Sequence, residues 1–392
     1  MNLPRGYRYA ATYAGIRSEQ RDDIALIVPD SPAAIAAVFT RNLVQAAPIR
    51  ISRKHLKASK GRVAAVLINA GNANCATRTG ERVALASCKA VAKELRTKPK
   101  YVIPASTGVI GVELDPTLLI NAIPDLVARL SPDAFEAVAQ AMLTTDTRLK
   151  TSYDELQFRG HTVRIAGMTK GAGMIHPKMA TTLGFVMTDA DIAPKLLREI
   201  LLSAVDRSYN ALTVDGDTST NDMVALIANG ASGFDPGRKH RSVLQDSITR
   251  VMESLARQIA ADAEGARKLI IVRAAGFKSY EDASRVARSV ANSLLVKTAI
   301  AGSDPNWGRV LAAAGYAGVD FDPSKVDIYL QDVQVCRAGL AASFDDAELK
   351  QKLDQSEVDV RIVLEGRSRP EARFFTCDLT EGYIQINASY RT

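Results

Sequence analysis

Short apolar runs and longer amphipathic ones alternate along the whole of this 392-residue chain. The runs of four to six residues, such as Val63 to Ile68 and Leu183 to Met187, are β-branched or bulky and end at Gly, Pro or Asn clusters. The longer segments repeat their apolar residues at helical spacing, as in Leu244, Ile248, Val251, Leu255 and Ile259. Strands and helices taken in turn confine the fold to mixed α/β, with helices layered on sheets. No low-complexity linker and no solenoid-length repeat interrupts the pattern.

Several elements can be placed. Glu81 to Arg96 and the segment from Pro194 have helical spacing, the latter expected to bury Leu196, Leu197, Ile200, Leu201, Ala204 and Val205. Asp115-Pro116 and Ser131-Pro132 each read as an N-cap followed by Pro at the first helical position. The second of these helices should run to about Leu143. Tyr280 to Ala301 reads as one long helix. The C-terminal part, from about 320, reads as strand-rich: Val326 to Val335, Val358 to Leu364, Arg373 to Asp378 and Tyr383 to Ala388.

The hydrophobic fraction of 47% provides for a large core, and the length suggests two lobes or one large one. No apolar run could span a bilayer and the N-terminus lacks a signal core, so a cytoplasmic protein is expected, with no membrane partner. The net charge is +7. Its densest runs, Arg53-Lys54-His55-Leu56-Lys57 with Lys60 and Arg62, and Arg238-Lys239-His240-Arg241, lack interleaved aromatics, so they read as solvated faces rather than a nucleic-acid site. Part of that positive field could favour anionic substrates such as glutamate or an acyl-CoA. The four cysteines, Cys75, Cys88, Cys336 and Cys377, form no C-x-x-C pair, which argues for buried thiols and against a zinc site.

Four polar loops carry the chemistry. Lys170-Gly171-Ala172-Gly173-Met174-Ile175-His176-Pro177-Lys178-Met179-Ala180-Thr181 leads straight into an apolar strand. It lacks phosphate-loop spacing, and Pro177 falls where a helix should begin. A Thr there could attack its own preceding carbonyl, and hydrolysis of the ester would leave Thr181 as a new N-terminus. A free α-amine has a reference pKa of about 7.7–8.0, so it can activate its own hydroxyl as a nucleophile. The same residues also suit a plain loop entering a buried strand. Thr107-Gly108 could stabilise an oxyanion through a hydroxyl and a backbone N–H, or form an ordinary turn. Thr213 to Asp222 is dense in short polar groups without calcium-loop spacing, and reads as a polar loop near a site. Asp304 to Arg309 holds the only Trp, an expected structural anchor before a helix from Val310 to Gly318.

Seven motifs, in order along the chain, resemble the ornithine acetyltransferase family, the glutamate N-acetyltransferases of arginine biosynthesis. They are STGVIG (106–111), TTDT (144–147), KGAGMIHPKMAT (170–181), TVDGDTSTND (213–222), ADAEGA (261–266), SDPNWGR (303–309) and INASYRT (386–392). The resemblance implies a DmpA/ArgJ-like layered fold, with helices packed around stacked β-sheets. It implies self-cleavage between Ala180 and Thr181, giving an α chain (1–180) and a β chain (181–392) in an α2β2 heterotetramer. Thr181 would carry the acetyl group from N-acetylornithine to glutamate, and acetyl-CoA is a further donor in some members; no cofactor is implied. The family's oxyanion pair falls on Thr107 and Gly108, and its substrate contacts on Thr144, Lys170, Thr181, Glu264, Asn387 and Thr392. Thr145 and Thr147 are near equivalents of Thr144. Two positions depart from the family pattern, Thr182 after the nucleophile and Glu381-Gly382 in the C-terminal loop. Three other readings fit parts of the pattern: a self-cleaving hydrolase or aminopeptidase of the same fold, the same transfer in a specialised pathway, and a non-enzymatic scaffold.

Overall fold

The computed structural model describes residues 2–158, 160–176, 182–364 and 371–389. Its strands make three sheets. The first has the order β1 (Tyr7–Thr12), β2 (Ile24–Pro29), β5 (Ala65–Asn69), β6 (Val102–Ser106). The second runs β4 (Arg62–Val63), β3 (Ala33–Phe39), β10 (Met223–Ala228), β9 (Leu183–Thr188), β8 (His161–Lys170), β7 (Lys150–Phe158). The third runs β14 (Leu340–Ala341), β13 (Val333–Arg337), β12 (Val326–Leu330), β15 (Glu357–Leu364), β11 (Leu269–Ala275), β16 (Ala372–Cys377).

Side-chain alternation makes the layers. On β3, Ile35 and Phe39 face the first sheet, while Ala34, Ala36 and Val38 face helices. The first two sheets stack through a shared core that includes Tyr9, Ile27, Phe185 and Ile227. The outer face of the first sheet is covered by α2 (Gly80–Glu94) and α3 (Pro116–Ala128). The outer face of the second meets α5 (Pro194–Arg207) and α6 (Arg241–Ala261), which also pack on the third sheet through Leu269, Ile271 and Phe375. The third sheet's other face carries α7 (Tyr280–Asn292), α8 (Leu294–Ala301), α9 (Trp307–Gly315) and α10 (Asp346–Leu353). The expected mixed α/β fold, helices around stacked sheets, is what the chain adopts. The remaining helices are α1 (Ala47–Ala58), α4 (Phe135–Met142) and α11 (Glu381–Ser389).

Five expectations are corrected. Ser131 does not cap a helix: its backbone pairs with Tyr9 (2.9 and 2.8 Å), and α4 starts only at Phe135. The helix expected from Tyr280 to Ala301 breaks at Ser293, whose hydroxyl caps α8 by accepting from Val296 N–H. Val326 to Val335 folds back on itself as β12 and β13, with Gln331 at φ +56° in the turn. Tyr383 to Ala388 is helical. Its alternating Ile384 and Ile386 suggest a strand, but both are exposed, and Thr380 caps the helix by accepting from Gly382 N–H (3.1 Å). Trp307 packs half-buried on the core, but as the first residue of α9 rather than in a turn before it, and that helix ends at Gly315, not Gly318. All four cysteines are buried free thiols. Among the described residues no helix is long and apolar enough to cross a membrane.

Candidate active site

The second sheet fixes the site. β8 ends at Lys170, paired in register with Leu183 at the start of β9, and the glycine loop leaves from one and returns to the other. β10 lies parallel to β9, with Met223 opposite Leu183, so Asp222 and Thr182 stand side by side just before both strands begin. From the first sheet, β6 ends at Ser106 and delivers Thr107 and Gly108 to the same place. The two sheets are tied there by Asn221, whose amide donates to Ala73 O (2.7 Å) and Ser106 O (2.9 Å).

A cavity of about 260 Å³ opens at this junction. It brings together Thr107, Gly108, Thr144, Lys170, Glu264 and Asn387, six of the eight positions expected from the sequence. The other two, Thr181 and Thr392, lie outside the described residues. Thr145 also lines the cavity, whereas Thr147 turns away, its hydroxyl and N–H both donating to Asp262. Of the three near-equivalent threonines, Thr144 and Thr145 are the two that line the cavity. Thr182 is buried, its hydroxyl 3.3 Å from that of Thr169.

The oxyanion geometry follows from hydrogen-bond accounting. Thr107 N–H is spent on Asn69 O (3.0 Å), while Thr107 Oγ1 accepts from Lys170 Nζ (3.3 Å) and keeps its own proton to donate. Gly108 N–H donates to no acceptor among the described residues. Gly108 sits at φ +126°, and a Cβ there would lie 2.3 Å from Gly71 C, so only glycine fits.

Lys170 is held among charges. Burial pushes its pKa down, and Asp146 opposes that most strongly, with Asp222 and Glu264 assisting. Burial alone would raise Asp146, but Lys170 and Lys150 hold it well below the usual carboxylate range. Asp146 also accepts from Gly171 N–H (2.6 Å), Thr144 N–H (3.0 Å) and Lys150 Nζ (2.8 Å). It thus links the lysine, the glycine loop and the threonine run.

The opposite wall is acidic. Glu264 is buried and accepts from Asn387 Nδ2 (2.8 Å), which places α11 over the pocket. A Cβ on Gly173 would lie 2.2 Å from Glu264 Oε2, so the glycine leaves room for this carboxylate. Asp215 accepts from Met174 N–H (2.6 Å), Ile175 N–H (2.9 Å) and Tyr383 Oη–H (3.2 Å); burial raises its pKa, and the amide bonds oppose. Asp222 is 3% exposed, and its Oδ2 has no hydrogen-bond partner among the described residues. Burial pushes Asp222 well above the carboxylate range, against Ser219 and Lys170. Asp146, Asp215, Asp222, Asn221 and Tyr383 were not singled out from the sequence. The first four lie inside its motifs, which was the available signal.

Stacked sheets whose junction lines one pocket with a threonine hydroxyl, a glycine backbone, a lysine and an acidic wall define a site for acyl transfer between charged amino compounds. The chain matches the ArgJ family over residues 8–392 and belongs to it. It is 45% identical to the "Arginine biosynthesis bifunctional protein ArgJ" of Symbiobacterium thermophilum, over 100% of this chain and 98% of that one. It is likewise 45% identical to the protein of the same name from Desulfotalea psychrophila, over 99% of each. Among solved structures, the arginine biosynthesis bifunctional protein argJ of Bacillus halodurans matches with a TM-score of 0.51 at 36% identity. That match covers 53% of this chain and 98% of the solved one.

Proposed function

We propose that the protein transfers the acetyl group of N-acetylornithine to glutamate through an ester on Thr181, after cutting itself between Ala180 and Thr181. The observation that carries this is the single pocket at the start of β9, where an oxyanion pair, one lysine and one buried glutamate converge from four distant segments. Thr181 stands two positions before β9 in sequence.

In the cut, the Thr181 hydroxyl attacks the Ala180 carbonyl. The peptide bond becomes an ester as its C–N bond breaks and frees the Thr181 amine, and water then hydrolyses the ester to the Ala180 carboxylate and the Thr181 hydroxyl. In the transfer, that amine takes the hydroxyl proton as the oxygen attacks the acetyl carbonyl. Thr107 Oγ1–H and Gly108 N–H face the negative charge that develops. The C–N bond breaks, the proton passes to the leaving ornithine amine, and glutamate's amine then takes the acetyl by the reverse steps. Lys170 binds a substrate carboxylate as a point charge, Glu264 meets a substrate ammonium, and Asn387 with Thr144 or Thr145 orients the chain between them. Thr392 would close the pocket.

Residues 1–180 supply β3, β4, β7 and β8 of the second sheet, and residues 181–392 supply β9 and β10. The cut pieces would therefore stay joined by β10–β3 and β8–β9 hydrogen bonds. The Bacillus halodurans chain is nearly covered by about half of this one, the proportion of a 181–392 fragment. Acetyl-CoA as a second donor, the α2β2 assembly and a cytoplasmic location belong to the same reading, with the "bifunctional" name of the relatives supporting the first.

The test is initial-rate kinetics with both substrates varied. Parallel double-reciprocal lines, and exchange of labelled ornithine into N-acetylornithine without glutamate, are expected. Intersecting lines with no exchange would exclude the acetyl-Thr181 ester.

A further inference from the structure

The basic run from Arg53 to Lys57 with Lys60 reads from sequence as a solvated face, yet in the fold it walls a second cavity of about 610 Å³. The floor is β3 from Ile35 to Phe39, between α1 and α5. β4 pairs with β3 only at Ala33 and Ala34, so from Ala36 onward the outer edge of β3 has no strand beside it among the described residues. Arg41, Arg53, Lys57, Lys60, Lys195 and Arg198 line the cavity, and no carboxylate does among the described residues. All six are exposed, and Lys57, Lys60, Lys195 and Arg198 form no ion pair among the described residues.

The groove has a direction. One end holds Lys60 and Lys195, where Ile35 N–H donates to Gly61 O (2.9 Å) and Pro194 packs against Gly61. At the other end, Phe39 leads into Thr40, whose N–H donates to Asp222 O (2.9 Å) and whose hydroxyl donates to Ser219 O (2.7 Å). Ser219 and Asp222 line the acetyl pocket. The groove therefore runs from a cluster of unpaired cations to the wall of the active site.

We propose that this groove binds the coenzyme A portion of an acyl-CoA, with its phosphates at the Lys60–Lys195 end and its thioester at the Phe39 end; the proposal rests on the acetyl-transfer reading above. The pantetheine arm carries two amides, which can bond to an open strand edge as an added strand does. Its apolar links lie over Val38, Leu56 and Leu202, and its phosphates meet lysine and arginine donors. A second copy of the chain fits poorly, because six like charges would face themselves across a two-fold axis. Single-stranded nucleic acid lacks a stacking platform here, since Phe39 is the one aromatic lining the groove among the described residues and Arg53 lies over its ring (4.9 Å). In the reaction served, the acetyl C–S bond breaks as the bond to Thr181 Oγ forms, and the hydroxyl proton ends on the released thiol.

The test uses the purified full-length protein, Lys60→Glu/Arg198→Glu, and calorimetric titration with coenzyme A. Saturable binding to wild type, weakened roughly tenfold in the double variant and further weakened by salt, is expected. The KM for acetyl-CoA should rise in the same ratio, while the KM for N-acetylornithine does not. Absence of coenzyme A binding to wild type, equal affinity in the variant, or tighter binding of a single-stranded oligonucleotide would overturn the proposal. So would a variant whose only change is its oligomeric state. Transfer from N-acetylornithine is assayed in the same samples: its loss in wild type would refute the acetyl-transfer reading, whereas its survival without coenzyme A binding refutes the groove alone. If thermal melting shows the double variant unfolded, Lys195→Glu in the exposed first turn of α5 makes the same comparison.

Discussion

Asp146 is the residue on which the site's electrostatics turn. Its side chain is fully buried, that of Lys150 is 1% exposed, and their ion pair is 2.8 Å long. Asp146→Asn keeps an oxygen for Gly171 N–H but removes the charge facing both Lys150 and Lys170. Breaking a buried pair from one side costs about 3–5 kcal/mol. Lys150 keeps its bond to Asp262, so the lower figure, about 3 kcal/mol, is expected. Urea unfolding should show a reduced midpoint at unchanged slope. The pH dependence has a definite sign. The folded pKa of Asp146 is depressed, so its stabilisation is present above the unfolded value of 3.8 and is lost as pH falls toward the folded one. The gap between wild type and variant should therefore be full at neutral pH and close in strongly acidic solution. Activity carries a second signature. Asp146 is the strongest influence raising the pKa of Lys170, so removing its charge lets burial push that pKa lower still. The rise in KM for glutamate at alkaline pH, where Lys170 loses its proton, should begin at lower pH in the variant. An unchanged midpoint together with an unchanged alkaline limb would refute this account.

Other perturbations give further expectations. Asp222→Asn should raise stability at pH 7: the folded pKa is raised, so the wild-type acid loses stability as pH climbs above 3.8, and the variant escapes that loss. Melting curves across pH would show the advantage vanishing below about pH 4. Gly173→Ala should displace the Glu264 carboxylate and raise KM for amino substrates at least tenfold, with intact masses still showing the cut. Gly108→Ala keeps the N–H but sets a Cβ 2.3 Å from Gly71 C, so the backbone must shift and carry the N–H out of place; kcat should fall by up to the about 10²–10³ that loss of an oxyanion donor costs. Deleting Tyr390 to Thr392 should weaken substrate binding and leave self-cleavage intact; unchanged kinetics would remove Thr392 from the pocket.

What the sequence revealed depended on range. Elements set by local pattern were legible: the stripe from Leu244 to Ile259 became α6, and Leu183 to Met187 opens a fully buried β9. Asp115 caps α3 as expected, accepting from Thr117 N–H (2.9 Å). Ser131-Pro132 has the same local signature, but pairing with Tyr9, which no local rule contains, overrode it. Tyr383 to Ala388 has strand composition, yet Thr380 binds Gly265 O and starts a helix that brings Asn387 to Glu264. The pocket residues Thr107, Lys170 and Glu264 could be named from motif resemblance. That Asp146 joins them, or that a buried Asp222 stands beside them, required strand register between segments far apart in the chain. The basic run of α1 was legible as charge but not as a groove wall, because its opposite wall comes from α5.

Intact mass spectrometry of the purified protein, before and after brief exposure to N-acetylornithine, tests the central claim most directly. Two polypeptides split between Ala180 and Thr181 are expected, with the 181–392 fragment one acetyl group heavier after exposure. A single uncut mass from protein that transfers acetyl, or two fragments that consume N-acetylornithine without ever carrying the acetyl group, would contradict it.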